Sequence, residues 1–190
     1  MKKDIILAGV GGQGTLSIAA IIAKAAVKMG LSVRQSEVHG MAQRGGAVLA
    51  HLRIADADIA SDLVPQGAGD LIISMEPLES LRYAAWLAPD GALVTAEEPF
   101  MNINDYPEIE TIRAIIRRFP KYRIIGAERL AKDAGLPKAA NVVMAGAAAS
   151  FLPLPDDALE AAIADMFAAK GATALEANKK AFKLGKDAAL

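Results

Sequence analysis

The sequence has no cysteine, two histidines and one tryptophan in 190 residues. Without thiols no disulfide can form, and an iron–sulfur cluster cannot be held through its usual thiolate ligands. His39 and His51 have neither a cysteine nor an H-x-x-x-H spacing beside them, so no metal site is assigned. Also missing is a Gly-Asp-Gly followed by an Asn-rich stretch, the pattern that binds thiamine diphosphate through magnesium. Charge of one sign is lacking as well: the formal net charge is −1, which argues against nucleic acid or a membrane surface as partner. The apolar stretch 142–152 is too short to span a bilayer. Lys2 and Lys3 before an apolar run imitate a signal peptide, but Asp4 interrupts that run and glycines end it. The expected setting is the cytoplasm. With one charge pattern throughout, residues 1–190 are expected to form a single domain with a core large enough to need no staples.

What is present begins with a short apolar strand over residues 4–8, then Gly9-Val-Gly-Gly-Gln-Gly14, then an Ala/Ile-rich helix over about 14–29. Gly9, Gly11 and Gly14 match G-x-G-x-x-G in the strand–turn–helix context that the motif requires. Glycine permits positive φ and close approach to the main chain. The following helix aims its free N–H groups and positive dipole end back at the turn, where a phosphate would be at home. The plainer reading is that the glycines only let the helix pack tightly on its strand. A dinucleotide-binding fold also asks for an acidic residue about twenty positions on, and Glu37 stands near that place. The residues after it depart from that pattern. In place of a second crossover helix the chain runs His39-Gly-Met-Ala-Gln-Arg-Gly-Gly46 into a segment with period-two alternation, 47–54. Strand passes to strand through a glycine-rich loop, which counts against a nicotinamide-binding domain.

Gly9-Val-Gly-Gly-Gln-Gly-Thr15, Ser36-Glu-Val-His-Gly-Met-Ala-Gln-Arg-Gly-Gly46 and Gly67-Ala-Gly-Asp-Leu-Ile-Ile-Ser-Met-Glu-Pro77 resemble the gamma-type domain of 2-oxoacid:ferredoxin oxidoreductases. The similarity runs over about residues 3–185 and is greatest to the small, or beta, subunits of indolepyruvate ferredoxin oxidoreductases; the Ser-Glu-Val-His-Gly-Met-Ala-Gln stretch points to indolepyruvate or another aryl-pyruvate. The resemblance implies a subunit that acts only with a large partner. That partner is expected to carry thiamine diphosphate, Mg2+ and [4Fe-4S] clusters, with coenzyme A (CoA) as co-substrate and ferredoxin as acceptor, and the isolated small subunit can self-associate as a homodimer. No cofactor is expected on this chain alone. Two competing readings stay open: a free-standing NAD(P)- or flavin-binding oxidoreductase with Glu37 on the ribose, and a non-catalytic assembly partner.

The remainder reads as alternating strands and helices: strand 70–75, helix 77–87, turn Pro89-Asp-Gly91, strand 92–96, loop 102–106, helix 108–118 and strand 122–127. Helices follow at 128–134, 141–152, 156–170 and 174–187, with Asp156 and Asp157 as N-cap candidates and Gly171 as a stop. This alternation predicts an α/β fold: a three-layer, mostly parallel sheet with helices on both faces, Rossmann-like, with a helical C-terminal region.

Site expectations centre on the two glycine-rich segments. Arg44 suits bidentate binding of an anion, or simply a surface carboxylate. His39 is the acid–base candidate near the turn, or a partner for a backbone carbonyl. Glu37 completes the catalytic candidates, or merely caps its loop. Binding candidates are Gly9, Gly11, Gly12, Gln13, Gly14, Thr15, Gln43, Gly45 and Gly46. Glu76 joins them at a strand's carboxyl end, with capping of the next helix as its equal alternative. Met41 is expected at an interface. The basic run Arg113, Arg117, Arg118, Lys121 and Arg123 reads as a solvated face. In helix 158–169, Leu159, Ile163, Met166 and Phe167 suit core or interface equally.

Overall fold

The computed structural model describes residues 1–38 and 45–190. Three short apolar runs form the middle of a six-stranded sheet: β1 (Lys2–Val10), β4 (Gly69–Ser74) and β5 (Leu87–Ala96). Their side chains alternate between two cores, as strand geometry requires. Ile5, Leu7, Leu71, Ile73 and Val94 enter one, and Ile6, Ile72 and Leu93 enter the other. A strand buried on both faces needs apolar residues at every position, hence the continuous runs.

The strand order is β2-β3-β1-β4-β5-β6, where β2 is Ser32–Val38, β3 Ala47–Ala55 and β6 Lys121–Ile125. β1, β4, β5 and β6 pair in parallel. β3 alone runs against its neighbours, antiparallel to both β1 and β2. Because β3 is reversed, its first residue, Ala47, lies opposite Val10 at the end where the parallel strands finish. The larger core lies between the sheet and α1 (Thr15–Lys28), α4 (Ala127–Asp133), α5 (Ala140–Ala148), α6 (Asp156–Phe167) and α7 (Ala172–Ala188). The smaller one is covered by α2 (Pro77–Arg82) and α3 (Ile109–Ile116). The predicted three-layer α/β fold is therefore present. Leu159 and Ile163 are buried, and Met166 and Phe167 pack on the same core, so that face of α6 is core.

Several boundaries differ for physical reasons. The first strand extends from the predicted 4–8 to Lys2–Val10, because β3 pairs with all of it from Lys2 opposite Ala55 to Val10 opposite Ala47. The predicted helix 77–87 stops at Arg82, one tight turn follows, and β5 already begins at Leu87. The predicted Pro89–Gly91 turn is instead part of β5, where the register jumps from Gly69 opposite Leu87 to Leu71 opposite Ala92. Asp156 and Asp157 are not caps. Pro155 holds the cap position, Asp156 pairs with Lys186 of α7, and the Asp157 carboxylate accepts from the Ala158 N–H at 2.8 Å. Helix 141–152 ends at Ala148 and closes with a 3-10 turn through Phe151.

Candidate functional site

β1 ends in a tight turn that Gln13 fastens. The Gln13 N–H donates to the Val10 carbonyl at 3.1 Å, and its side-chain oxygen accepts from the Val10 N–H at 2.7 Å. The same carboxamide donates to the Met75 carbonyl at 3.2 Å, tying the carboxyl end of β1 to that of β4. Each glycine here has its own reason. A Cβ on Gly9 would stand 2.6 Å from Thr15 Oγ1 and 3.1 Å from Met75 Cβ, so close packing requires its absence. Gly14, at φ 82°, is the left-handed N-cap of α1. Gly12, at φ 103°, has open space where a Cβ would be and lines a cleft. The packing reading of the motif is thus realised at Gly9.

The second glycine-rich segment meets the first. The Gly11 N–H donates to the Gly46 carbonyl at 2.8 Å, and the Gly45 N–H donates back to the Gly11 carbonyl at 3.2 Å. A third segment joins when the Asn102 side chain donates to the Gly45 carbonyl at 2.7 Å. Glu76 positions that segment. It is buried, and its carboxylate accepts from the Glu79 N–H at 2.7 Å as the N-cap of α2. Its other oxygen accepts from the Phe100 N–H at 3.2 Å and from the Tyr106 hydroxyl. Burial and the neighbouring Glu76 carboxylate push the Tyr106 phenol far up, so it stays a donor. Of the two readings of Glu76, the geometry realises the capping one.

Thr15 Oγ1 is buried and finds no hydrogen-bond partner among the described residues. Glu37 sits half-buried near the end of β2, opposite Ala50. His39, Met41, Gln43 and Arg44 lie outside the described residues. His51 is a buried residue of β3, opposite Ile6, and its Nδ1 accepts from the Val64 N–H at 3.2 Å. Burial first, and Arg53 second, hold its pKa below the usual histidine range.

Beside Gly12 a cleft of about 500 Å³ opens at the carboxyl ends of β1, β4 and β5, walled by α4 and the start of α5. The connection from β1 leaves over the larger-core face towards β2, and that from β4 over the other face towards β5. This switch point is where open α/β sheets form a crevice. The cleft also presents Glu98, Glu128, Lys132 and Lys138, none of which was among the sequence candidates. Glu98 had a usable signal, since it follows a parallel strand's carboxyl end as Glu76 does. The two lysines had none, because only tertiary packing brings them to Gly12.

Glu98 accepts from the Glu128 N–H at 3.0 Å through one oxygen, while the other is buried without a partner among the described residues. Burial pushes its carboxyl above the usual glutamate range. A raised folded pKa means that this group's contribution is fully present below the unfolded value and is lost as pH rises through the folded one. Glu98→Gln is therefore expected to raise the melting temperature near about pH 8 and to change it little near about pH 4. Thermal melts across that range test this; an equal shift at both ends refutes it.

The profile of the family described as pyruvate ferredoxin/flavodoxin oxidoreductase matches residues 4–188. Indolepyruvate oxidoreductase subunit IorB of Pyrococcus horikoshii is 38% identical over 100% of this chain and 97% of its own length. Its namesake from Archaeoglobus fulgidus is 35% identical over 100% and 96%. Among solved structures, a keto/oxoacid ferredoxin oxidoreductase gamma subunit from Geobacter sulfurreducens superposes with a TM-score of 0.70 at 25% identity, over 98% of both chains. A 2-oxoglutarate:ferredoxin oxidoreductase from Magnetococcus marinus, with 2-oxoglutarate, coenzyme A and succinyl-CoA bound, reaches 0.77 at 22% identity. There the match covers 99% of this chain but only 31% of the other, and it speaks for the fold alone.

Proposed function

The chain belongs to the pyruvate ferredoxin/flavodoxin oxidoreductase family, and we propose that it works as the small subunit of an indolepyruvate-type 2-oxoacid:ferredoxin oxidoreductase. The observation that carries this reading is end-to-end similarity to two indolepyruvate oxidoreductase subunits. The holoenzyme would decarboxylate an aryl-pyruvate oxidatively, pass the electrons to ferredoxin and release an acyl-CoA. Residues 1–190 act in it as one domain. Thiamine diphosphate, Mg2+ and the iron–sulfur clusters are proposed to sit on the large subunit, in keeping with a sequence that has no cysteine. The competing dinucleotide-binding reading is weakened by the reversed β3, which occupies the place of a second parallel crossover.

In this reading the small subunit positions and shields. The cleft beside Gly12 takes part of CoA: Lys132 and Lys138 supply positive charge, and the uncapped N-terminus of α1 supplies N–H groups. Gly45 and Gly46 are bonded to Gly11, and in the sequence they directly follow the segment with His39, Gln43 and Arg44, which Glu37 precedes. Arg44 would hold an anionic group, and His39 would move a proton. Lys132→Glu puts a carboxylate where the cleft now presents a positive charge. It is expected to raise KM for CoA about tenfold while leaving kcat nearly unchanged, the mark of lost binding remote from the reacting atoms.

The deciding experiment is reconstitution with the large subunit under anaerobic conditions. CoA-dependent reduction of a viologen dye would be followed with indolepyruvate, phenylpyruvate and pyruvate. Preference for indolepyruvate is the expected result. An isolated chain that binds NAD(P) or flavin tightly, and gains thermal stability from it, would replace this reading.

A further inference from the structure

β6 ends the sheet, and among the described residues no strand pairs with its outer side. A groove of about 620 Å³ lies along that edge, with Glu97, Arg113, Arg117, Tyr122, Arg123 and Leu190 in its walls. The alternation of β6 sorts them. Tyr122 and Ile124 turn to the smaller core, on the side of α3. Arg123 turns the other way, where its Nε donates to the Ala189 carbonyl at 2.6 Å and its guanidinium lies 5.7 Å from the Phe151 ring centre. Arg113 belongs to α3, and Arg117 is its C-cap. Guanidinium groups therefore stand on both sides of the edge, and that of Arg123 also donates to the Tyr122 carbonyl of its own strand at 2.9 Å.

Their donors are not all used. Arg113 pairs with Glu110 at 2.6 Å and donates to the Glu97 carbonyl at 3.2 Å, yet its Nε is buried without a partner among the described residues. Arg117 reaches Glu110 only at 3.9 Å and is half exposed. Of the basic run read from sequence as a solvated face, Arg117, Arg118 and Lys121 are exposed, whereas Arg113 and Arg123 are half-buried.

We propose that an acidic, extended segment of the large subunit adds to the sheet beside β6, its alternate side chains meeting Arg117 on one face and Arg123 on the other. This rests on the subunit reading above. An open strand edge is a template for another chain, and a permanent partner that covers it removes the hazard. Main-chain pairing supplies affinity in such additions, and alternate side chains supply specificity. A strand spaced by about 3.3 Å per residue reaches both faces in two consecutive residues. Arginine fits carboxylates bidentately. A second copy of this chain is disfavoured, because edge-to-edge pairing would set one arginine cluster against another.

Amide hydrogen exchange is measured on the isolated full chain and on its complex with the large subunit. Exchange within residues 121–125 is expected to slow in the complex, and Arg117→Glu is expected to weaken assembly at least tenfold and to flatten its salt dependence. A complex that forms without protecting 121–125, or an unchanged affinity for Arg117→Glu, overturns the inference and leaves the subunit reading standing. A chain that never binds the large subunit removes that reading itself. Protection that grows with the concentration of this chain alone, or that needs added ferredoxin or citrate, names a different occupant and also overturns the inference.

Discussion

Gly185→Ala is expected to destabilise the chain by about 3 kcal/mol and to lower its melting temperature by roughly 6–12 °C. In an exposed helix the same change ordinarily stabilises by roughly 0.5–1 kcal/mol. The sign inverts here because α5 and α7 cross with their backbones nearly touching. A Cβ on Gly185 would lie 1.9 Å from the Val143 carbonyl oxygen, and one on Gly146 would lie 2.0 Å from that of Phe182. Backbone atoms cannot swing aside as a flexible side chain does, so the helices must part along a core packed to crystal-like density. The contact is reciprocal, which gives a second check. Once one substitution has opened the crossing, the other should cost less, and the double variant should fall short of additivity. Lys183→Ala, on the exposed face of α7, is the control and should stay within about 0.5 kcal/mol of the parent. Denaturant titration settles the matter: a Gly185→Ala chain as stable as its parent would mean that the helices do not cross so closely.

Asp4→Ala should cost about 3–5 kcal/mol, the usual loss when one partner of a buried ion pair is removed. Asp4 is completely buried at the amino end of β1. Its carboxylate accepts from Arg53 Nε at 2.8 Å and Nη2 at 3.2 Å, and it pairs with Lys2 at 2.8 Å. Arg53 uses its third nitrogen to hold the Ser61 and Leu63 carbonyls, both at 3.0 Å. Removing the carboxylate strands a mostly buried guanidinium and loosens the segment between β3 and β4. The penalty belongs to the orphaned charge rather than to the pair, so Asp4→Leu combined with Arg53→Met should recover most of the loss. This network lies at the opposite end of the sheet from the cleft beside Gly12. Turnover per assembled holoenzyme should therefore be unchanged, and a large fall in kcat for Asp4→Ala would contradict the separation of the two ends.

Local pattern made much of this molecule legible. The unbroken run Ile5-Ile-Leu7 and the glycines after it announced a buried strand, a turn and a helix. Alternation in 47–54 showed that strand follows strand there, which is why the departure from a dinucleotide-binding domain was visible before the fold. Long-range placement was not legible. Nothing near Gly11 says that it exchanges hydrogen bonds with Gly45 and Gly46, because the pairing is set by β3 lying beside β1. Gln13 reads from sequence as a binding candidate, and only the fold places the Met75 carbonyl next to it. Nothing in the sequence around Gly146 and Gly185 marks them as the place where two helices touch. Asp156 and Asp157 illustrate the reverse: the residue types favour a cap, but Pro155 supplies the extended backbone at that position and Lys186 claims Asp156. Lys132, Lys138 and Glu98 came together only once α4 packed against the strand ends.

The central position of β1 also bears on how the chain comes into being. Its two partners are β3 and β4, the nearer beginning at Ala47 and the farther ending at Ser74. At a synthesis rate of about 5–20 residues per second, the first strand made waits several seconds for its second flank. Until β3 is complete at Ala55, Ile5, Ile6 and Leu7 are sticky on both faces, with no sheet to receive them. Non-local pairing of this kind slows folding, so the same run that anchors the finished sheet is the stretch of the nascent chain most in need of a chaperone.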